Sequence, residues 1–399
     1  MTVADGEPAA AVPASNPQDN QTSDPKPSEN PMDATESKPV AQPADSLDDL
    51  GLPNSAADGL VTKPFPKPLE GVQPEPPAQL TPEQNSKYEQ VLKEVSSWTK
   101  VPVSLAKGAE ERPLTDDDRM FLTRECLLRY LRATKWNVSD AVKRLRNTLA
   151  WRRDYIGDKL TPEYISIENE TGKQVILGYD IHGRPCHYLI PSNQNTKTSP
   201  RQIEHLVFML ERVIDIMPPG QESLTLVIDF NQTKSGQNAT ISQAKQTLDF
   251  LQNHYPERLG RALVINIPWY INAFLKVIWP FIDPVTQKKL IFNDDLRKHV
   301  PPQQLMADVG GDVKFEYRHS DYWPALTKLA ERRREAYRQR WIAGGKKIGE
   351  SEFYLRGGEE RATTETTAPT GEQQLEEKLE KLAVDNDKAA ETTPTASAS

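Results

Sequence analysis

Apolar residues recur at helical intervals in residues 81–98 (TPEQNSKYEQVLKEVSSW), 119–136 (RMFLTRECLLRYLRATKW) and 138–155 (VSDAVKRLRNTLAWRRDY). Leu122, Cys126, Leu127 and Tyr130 form one stripe in the second segment, and Val138, Ala141, Leu145 and Leu149 one in the third. Asn137, followed by Asp140, predicts an N-terminal cap. These segments predict a small helical bundle. From residue 173 the pattern changes to short apolar runs alternating with amphipathic helices, which predicts an α/β layer. KQVILGYD and RPCHYLIP read as strands around the turn DIHGRP. They are followed by helix 201–217, strand 224–230, helix 241–254, strand 262–267, helix 269–279, strand 289–293 and a closing helix from Trp323 to about Trp341. LTLVIDF and ALVINI are nearly continuous apolar runs, so both faces of the sheet should be covered.

Composition limits how much of the chain this pattern describes. The 33 prolines and a hydrophobic share of 37% predict that part of the 399 residues does not fold. Residues 1–80 are rich in Pro, Ala, Ser, Asp and Glu, and residues 359–399 in Thr, Ala and Glu, so both read as disordered acidic tails. Within the second, GEQQLEEKLEKLA has Glu and Lys spacing for a transient helix. The tails carry −9 and −6 against −8 for the whole chain, which leaves +7 on residues 81–358. A basic folded region suits either a solvated face or an anionic surface.

Cys126 and Cys186 stand sixty residues apart with no metal-binding spacing, so neither a disulfide framework nor a metal site is expected and a reducing setting fits. The N-terminus lacks a basic stretch with an apolar run behind it, and no window reaches the length of a membrane span. Membrane contact is therefore expected to be peripheral. GxSxG, GxGxxG, GxxxxGK[ST] and HExxH are all missing, and His182, His187, His205, His254, His299 and His319 are scattered. No catalytic residue is expected. Basic residues are not interleaved with an aromatic platform, so nucleic-acid binding is not indicated either.

Helix 269–279, WYINAFLKVIW, leaves little room for a polar face. It reads as a buried core helix or as something more specific, because it lies within HYPERLGRALVINIPWYINAFLKVIWPFIDPVTQKKLIF (254–292). That stretch, with GKQVILGYDIHGRPCHYL and RECLLRYLRATKWNVSDAVKRLRNTLAWRRDY upstream, resembles the CRAL-TRIO lipid-binding domain of fungal, secretory-pathway-type phosphatidylinositol transfer proteins. The resemblance spans nearly all of 81–350. It implies a mixed sheet flanked by helices around an apolar cavity, with helix 269–279 as a gate that opens on membranes. Such a helix moves its apolar surface between cavity and bilayer at small cost, since each Å² is worth roughly 25 cal/mol in either place.

The family pattern, carried over position by position, assigns Glu257, Arg258, Thr286 and Lys289 to the inositol-phosphate headgroup. Lys289 supplies a cation for the phosphodiester, and Glu257 and Thr286 take up hydroxyls. An ordinary exposed ion pair at Glu257 is the competing reading. The resemblance also places Leu224, Leu226, Trp269, Ile271, Phe274, Leu275 and Ile278 on the cavity or gate, and Gly260, Gly310 and Gly311 at hinges, where plain turn roles compete. Phosphatidylcholine-binding members carry hydroxyl residues where this chain has Leu224 and Leu226, so a choline phosphate would lack partners. A basic residue of the phosphate site is replaced by Thr134, next to Lys135.

These features resemble the branch linked to azole and multidrug tolerance, whose second ligand is a sterol or related hydrophobe. The expected organisation is a tail at 1–80, a helical unit at 81–158, the lipid-binding domain at 159–322, a C-terminal helix at 323–358 and a tail at 359–399. The resemblance implies exchange of phosphatidylinositol and a sterol between membranes, without cofactor or metal, and a functional link to phosphatidylinositol kinases. The implied location is cytoplasmic, peripheral to endoplasmic reticulum, lipid droplets or the cell periphery. A lipid-sensing scaffold that recruits partners through its tails is the alternative.

Overall fold

Thr81 Oγ1 accepts from the Gln84 amide and the Thr81 amide donates to Gln84 Oε1, a capping box that starts α1 (Pro82–Ser97). The computed structural model describes residues 47–361 except 54, 55, 235 and 238; of the tails expected at 1–80 and 359–399, residues 1–46 and 362–399 lie outside the described residues. A short hairpin, β1 (Lys100–Pro102) with β2 (Glu111–Pro113), follows. Three-residue strands containing proline leave no alternation to read, so the sequence gives no sign of it.

Segment 119–136 is not the single helix that its periodicity predicts. It divides into α2 (Asp116–Phe121) and α3 (Arg124–Ala133), because Thr123 Oγ1 accepts from the Cys126 amide at 3.1 Å and so caps a new helix. α4 (Val138–Trp151) begins as expected, with Asn137 Oδ1 accepting from the Asp140 amide, and runs into a π-helical turn at Arg152–Ile156. Val91, Val95, Leu122, Cys126, Leu127, Leu131, Leu145 and Leu149 close the core of this bundle. A further short helix, α5 (Pro162–Ser166), leads into the sheet.

The sheet has five strands in chain order: β3 (Gln174–Tyr179), β4 (Pro185–Leu189), β5 (Leu224–Asp229), β6 (Leu259–Ile265) and β7 (Leu290–Phe292). β3 and β4 are antiparallel around a turn in which Asp180 Oδ1 accepts from the amides of His182 and Arg184; the other pairs are parallel. The crossovers carry α6 (Pro200–Asp215), α7 (Ile241–His254) and α8 (Trp269–Ile278), with α9 (Pro284–Gln287) before β7. Parallel strands added in order by right-handed crossovers must place all three helices on one face. Contacts agree: His205 on α6 meets Gln174 on β3, Gln243 on α7 bonds Gln202 on α6, and Tyr255 donates to Glu211. Residues 296–317 cover the opposite face with Leu296, Val300, Leu305 and Val313. α10 (His319–Ala343) stacks Trp323 on Phe208 of α6, and α11 (Glu352–Leu355) follows it.

Residues 61–80 depart from the predicted tail. Val61 forms a parallel bridge with Phe315, and Val61 and Phe65 are 2% and 1% exposed. Nearer the start, Asp49 pairs with Arg332, and Lys63 donates to the Leu50 and Gly51 carbonyls. Composition measures the scarcity of apolar residues, whereas ordering here depends on where two of them land. Prolines already restrict the chain, so pinning it costs less entropy.

Candidate functional site

The loop after α7 and the approach to β7 bring Glu257, Thr286 and Lys289 together. Lys289 Nζ donates to the Leu259 carbonyl at 2.5 Å, and the Lys289 carbonyl accepts from the Ala262 amide, which fixes it beside β6. Burial pulls its ammonium below the usual lysine range, while the carboxylates of Glu257 and Asp283 oppose that shift. Thr286 is held by Asp283, whose Oδ1 accepts from the Val285 and Thr286 amides at 3.0 and 2.9 Å. These contacts and the Thr286 hydroxyl keep Asp283 below the usual carboxylate range against partial burial. Glu257 occupies the left-handed region at φ +59°, an uncommon conformation for a residue with a side chain. Arg132 Nε, from α3, donates to Glu257 Oε2 at 2.5 Å, and both side chains remain about one-third exposed.

Arg258 does not join them. Its Nη1 donates to the Glu222 carbonyl at 2.9 Å, and its Nη2 lies 3.7 Å from Glu352 Oε1. Burial and the neighbouring Arg129 and Arg356 charges bring its pKa down to about 10. Neighbours in sequence thus point into different clusters, because the backbone turns over at Glu257.

The layer between the sheet and α6–α8 is apolar and incompletely packed. On β5, Thr225 and Val227 face the far side and are fully buried, whereas Leu226 and Ile228 face the helices and are half-buried. Leu224 on that inner face is buried. Across from them α7 buries only His254, leaving Ala244, Leu248 and Leu251 half-buried, while Phe250 packs on Trp151 and Tyr155. Inward-facing apolar residues retain accessible surface only where helix and strand stand apart, so this layer contains an apolar gap. On α8, Ile271 and Ile278 are buried, Phe274 and Leu275 are half-buried, and Trp269 is 82% exposed. Val277, Phe281, Val285 and Phe292 extend the exposed apolar surface. The helix is neither a core helix nor a simple amphipathic one.

Residues 169–311 match the CRAL/TRIO domain and residues 87–147 the CRAL/TRIO N-terminal domain. "Phosphatidylinositol transfer protein PDR17" of Saccharomyces cerevisiae is 41% identical over 294 residues, covering 69% of this chain and 84% of that one. The chain belongs to the CRAL/TRIO family. "CRAL-TRIO domain-containing protein C23B6.04c" of Schizosaccharomyces pombe is 50% identical over 304 residues, covering 76% of this chain; the chain spans only 30% of that relative's length. The solved structure described as "Crystal structure of Sfh5" aligns with TM-score 0.37 at 16% identity, covering 55% of this chain and 84% of that chain.

In this CRAL/TRIO chain the three glycines expected at hinges each meet a local demand. Gly310 is left-handed at φ +97° and ends a short 3-10 turn. A Cβ on Gly311 would stand 2.0 Å from the Leu305 carbonyl oxygen, and one on Gly260 would collide with Arg184 and Ser223. Arg132, Arg184 and Asp283 complete the charged surroundings of Lys289, and no local pattern in the sequence marks them. Arg132 lies within the motif-bearing segment LRYLRATKW, but its partner lies 125 residues away. Both cysteines are buried, and burial pushes the Cys126 thiol up to about 11. Among the described residues no helix is long and apolar enough to cross a membrane.

Proposed function

We propose that this CRAL/TRIO protein is a carrier that binds phosphatidylinositol and exchanges it between membranes, performing no chemistry on it. One observation carries the reading: Glu257 lies close enough to Lys289 to bear on its charge, with the Thr286 carbonyl accepting from the Lys289 amide, and we take the apolar gap under α7 and α8 as the adjoining acyl-chain site. A cation, a carboxylate and a hydroxyl next to an oily interior suit a phosphodiester, sugar hydroxyls and acyl chains together. Arg132 joins the headgroup residues in this reading, and Arg258 leaves them. Trp269, Phe274 and their neighbours are the part that meets the bilayer, with Gly260, Gly310 and Gly311 as the hinge positions. The relative named a phosphatidylinositol transfer protein, 41% identical to this chain, supports the same ligand.

The second ligand is a sterol or similar hydrophobe rather than phosphatidylcholine. β5 presents Leu224 and Leu226 inward, and its hydroxyl at Thr225 is turned to the other face, donating to Asp180 Oδ2 at 2.7 Å. A choline phosphate there would leave buried groups unpaired at about 1–3 kcal/mol each. Peripheral association with endoplasmic reticulum, lipid droplets or the cell periphery, presentation of the inositol lipid to kinases and a link to azole tolerance belong to the same reading.

Mass spectrometry of lipids extracted from the purified protein, with vesicle-to-vesicle transfer assays, tests it. Phosphatidylinositol and a sterol should be recovered, and Glu257→Ala with Lys289→Ala should abolish phosphatidylinositol transfer while sterol binding persists. Recovery of phosphatidylcholine alone, or transfer indifferent to both substitutions, would overturn the assignment.

A further inference from the structure

A second cleft, of about 570 Å³, lies between the N-terminal bundle, α6 and the α10–α11 pair, and its lining is charged. Eight arginines and six carboxylates line it, so a net positive charge faces the space. Several of these pairs are closed. Arg152 makes two hydrogen bonds to Glu211 at 2.8 and 2.9 Å, and Arg153 makes a short one to Asp118 at 2.5 Å. The loosest pairing gathers around Glu352. Arg129 Nη2 donates to its Oε1 at 2.6 Å, while Arg258 and Arg356 reach the same carboxylate only at 3.7 and 3.8 Å.

All three guanidinium side chains are at least nine-tenths buried. Glu222 offsets Arg129 at 2.7 Å but is itself shared with Arg132. Arg356 Nη1 donates to the carbonyls of Ile214 and Met217, and its Nε has no hydrogen-bond partner. Glu125 Oε2 accepts from the Glu352 amide at 2.6 Å and brings a further carboxylate to the group, yet Arg356 Nε still lacks a partner, and a buried guanidinium donor left unpaired is costly unless an anion meets it. At the mouth, Arg334 is 46% exposed and meets Glu211 and Asp215 only at 3.7 and 3.5 Å, so it can turn toward an incoming anion. The neighbouring π-helical turn at Arg152–Ile156 is a distortion often found at functional sites.

We propose that this cleft is a second binding site, for a compact phosphate-bearing polyanion held by Arg258 and Arg356 inside and Arg334 at the mouth. Guanidinium forks match phosphate oxygens two at a time, and a site of this size takes a pyrophosphate or an inositol phosphate whole. The same chemistry is offered by a free phosphate compound or by the headgroup of a phosphorylated lipid. The inference is independent of which lipid fills the apolar gap.

Titration calorimetry and thermal melting of the full chain at physiological salt test the proposal, with pyrophosphate and inositol 1,4,5-trisphosphate as probes. Phosphatidylcholine vesicles with and without a phosphatidylinositol bisphosphate form the lipid arm. The expected result is saturable binding that raises the melting temperature and weakens about tenfold in Arg334→Gln and in Arg356→Gln, the loss of one charge-assisted contact. Arg334 is half-exposed, so that variant remains informative if Arg356→Gln fails to fold. Arg297→Gln, a surface cation outside the cleft, should bind as the parent does. Binding in the soluble arm assigns a free phosphate, and binding in the vesicle arm alone assigns a lipid headgroup. Binding in neither arm, binding unchanged in folded Arg334→Gln, or equal weakening in Arg297→Gln would overturn it.

Discussion

Arg132 on α3 donates to Glu257 at 2.5 Å, so the helical N-terminal unit holds a residue of the sheet domain that the proposed headgroup site uses. Glu257 sits at φ +59°, and this contact and its other surroundings keep it there. Glu222 extends the link, accepting from Arg132 at 3.3 Å and from Arg129 at 2.7 Å.

Arg132→Ala should therefore lower phosphatidylinositol transfer by about tenfold while leaving the fold intact, because it removes a charge-assisted contact from a partly wet site. Transfer between labelled vesicles, with circular dichroism as the control, measures this. Unchanged transfer would show that Glu257 is positioned without Arg132.

Trp269 should matter to exchange and hardly to stability. It is 82% exposed, so Trp269→Ala should change unfolding free energy by less than about 0.5 kcal/mol. Transfer rate and vesicle adsorption should both fall, since an interfacial tryptophan is removed. Chemical denaturation beside a vesicle sedimentation assay separates the two effects.

Phe65 tests whether the proline-rich strap is part of the folded body. At 1% exposure, Phe65→Ala should cost about 3 to 5 kcal/mol, as for other buried aromatics. A loss below about 1 kcal/mol in urea unfolding would mean that the strap does not pack in solution.

His254 sets a pH limit. Its ring stacks on Trp151 at 4.2 Å and 4°, its Nδ1 lies 3.0 Å from Thr148 Oγ1, and burial with the nearby Arg144 and Arg152 charges brings its pKa to about 4. The unfolded chain takes up this proton near pH 6.5, before the folded one does. Stability is thus complete above 6.5 and falls between 6.5 and 4, by at most about 1.4 kcal/mol per pH unit for this group. Burial of His187 adds to the same trend. In thermal melts His254→Phe should lose less stability over that interval than the parent; an equal loss would place the sensitivity elsewhere.

Local patterns determined much of this protein. The order of the five sheet strands and their crossover helices follows from apolar spacing, and Asn137 marks a helix start because its capping chemistry needs only the next three residues. The family resemblance, not local patterning, picks out Glu257 and Lys289, which stand in the segments leading into β6 and β7. Tertiary structure decided what depends on distant partners. Arg258 turns to Glu352 although it adjoins Glu257, and Arg132 finds a carboxylate 125 residues away. Val61 and Phe65 become ordered because residues 296–317 offer a strand edge and an apolar seat. The charged cleft gathers side chains from segments more than two hundred residues apart. Hydrophobic period and turn chemistry are short-range and can be read along a chain, whereas ion pairing and packing depend on distances that exist only once the chain has folded.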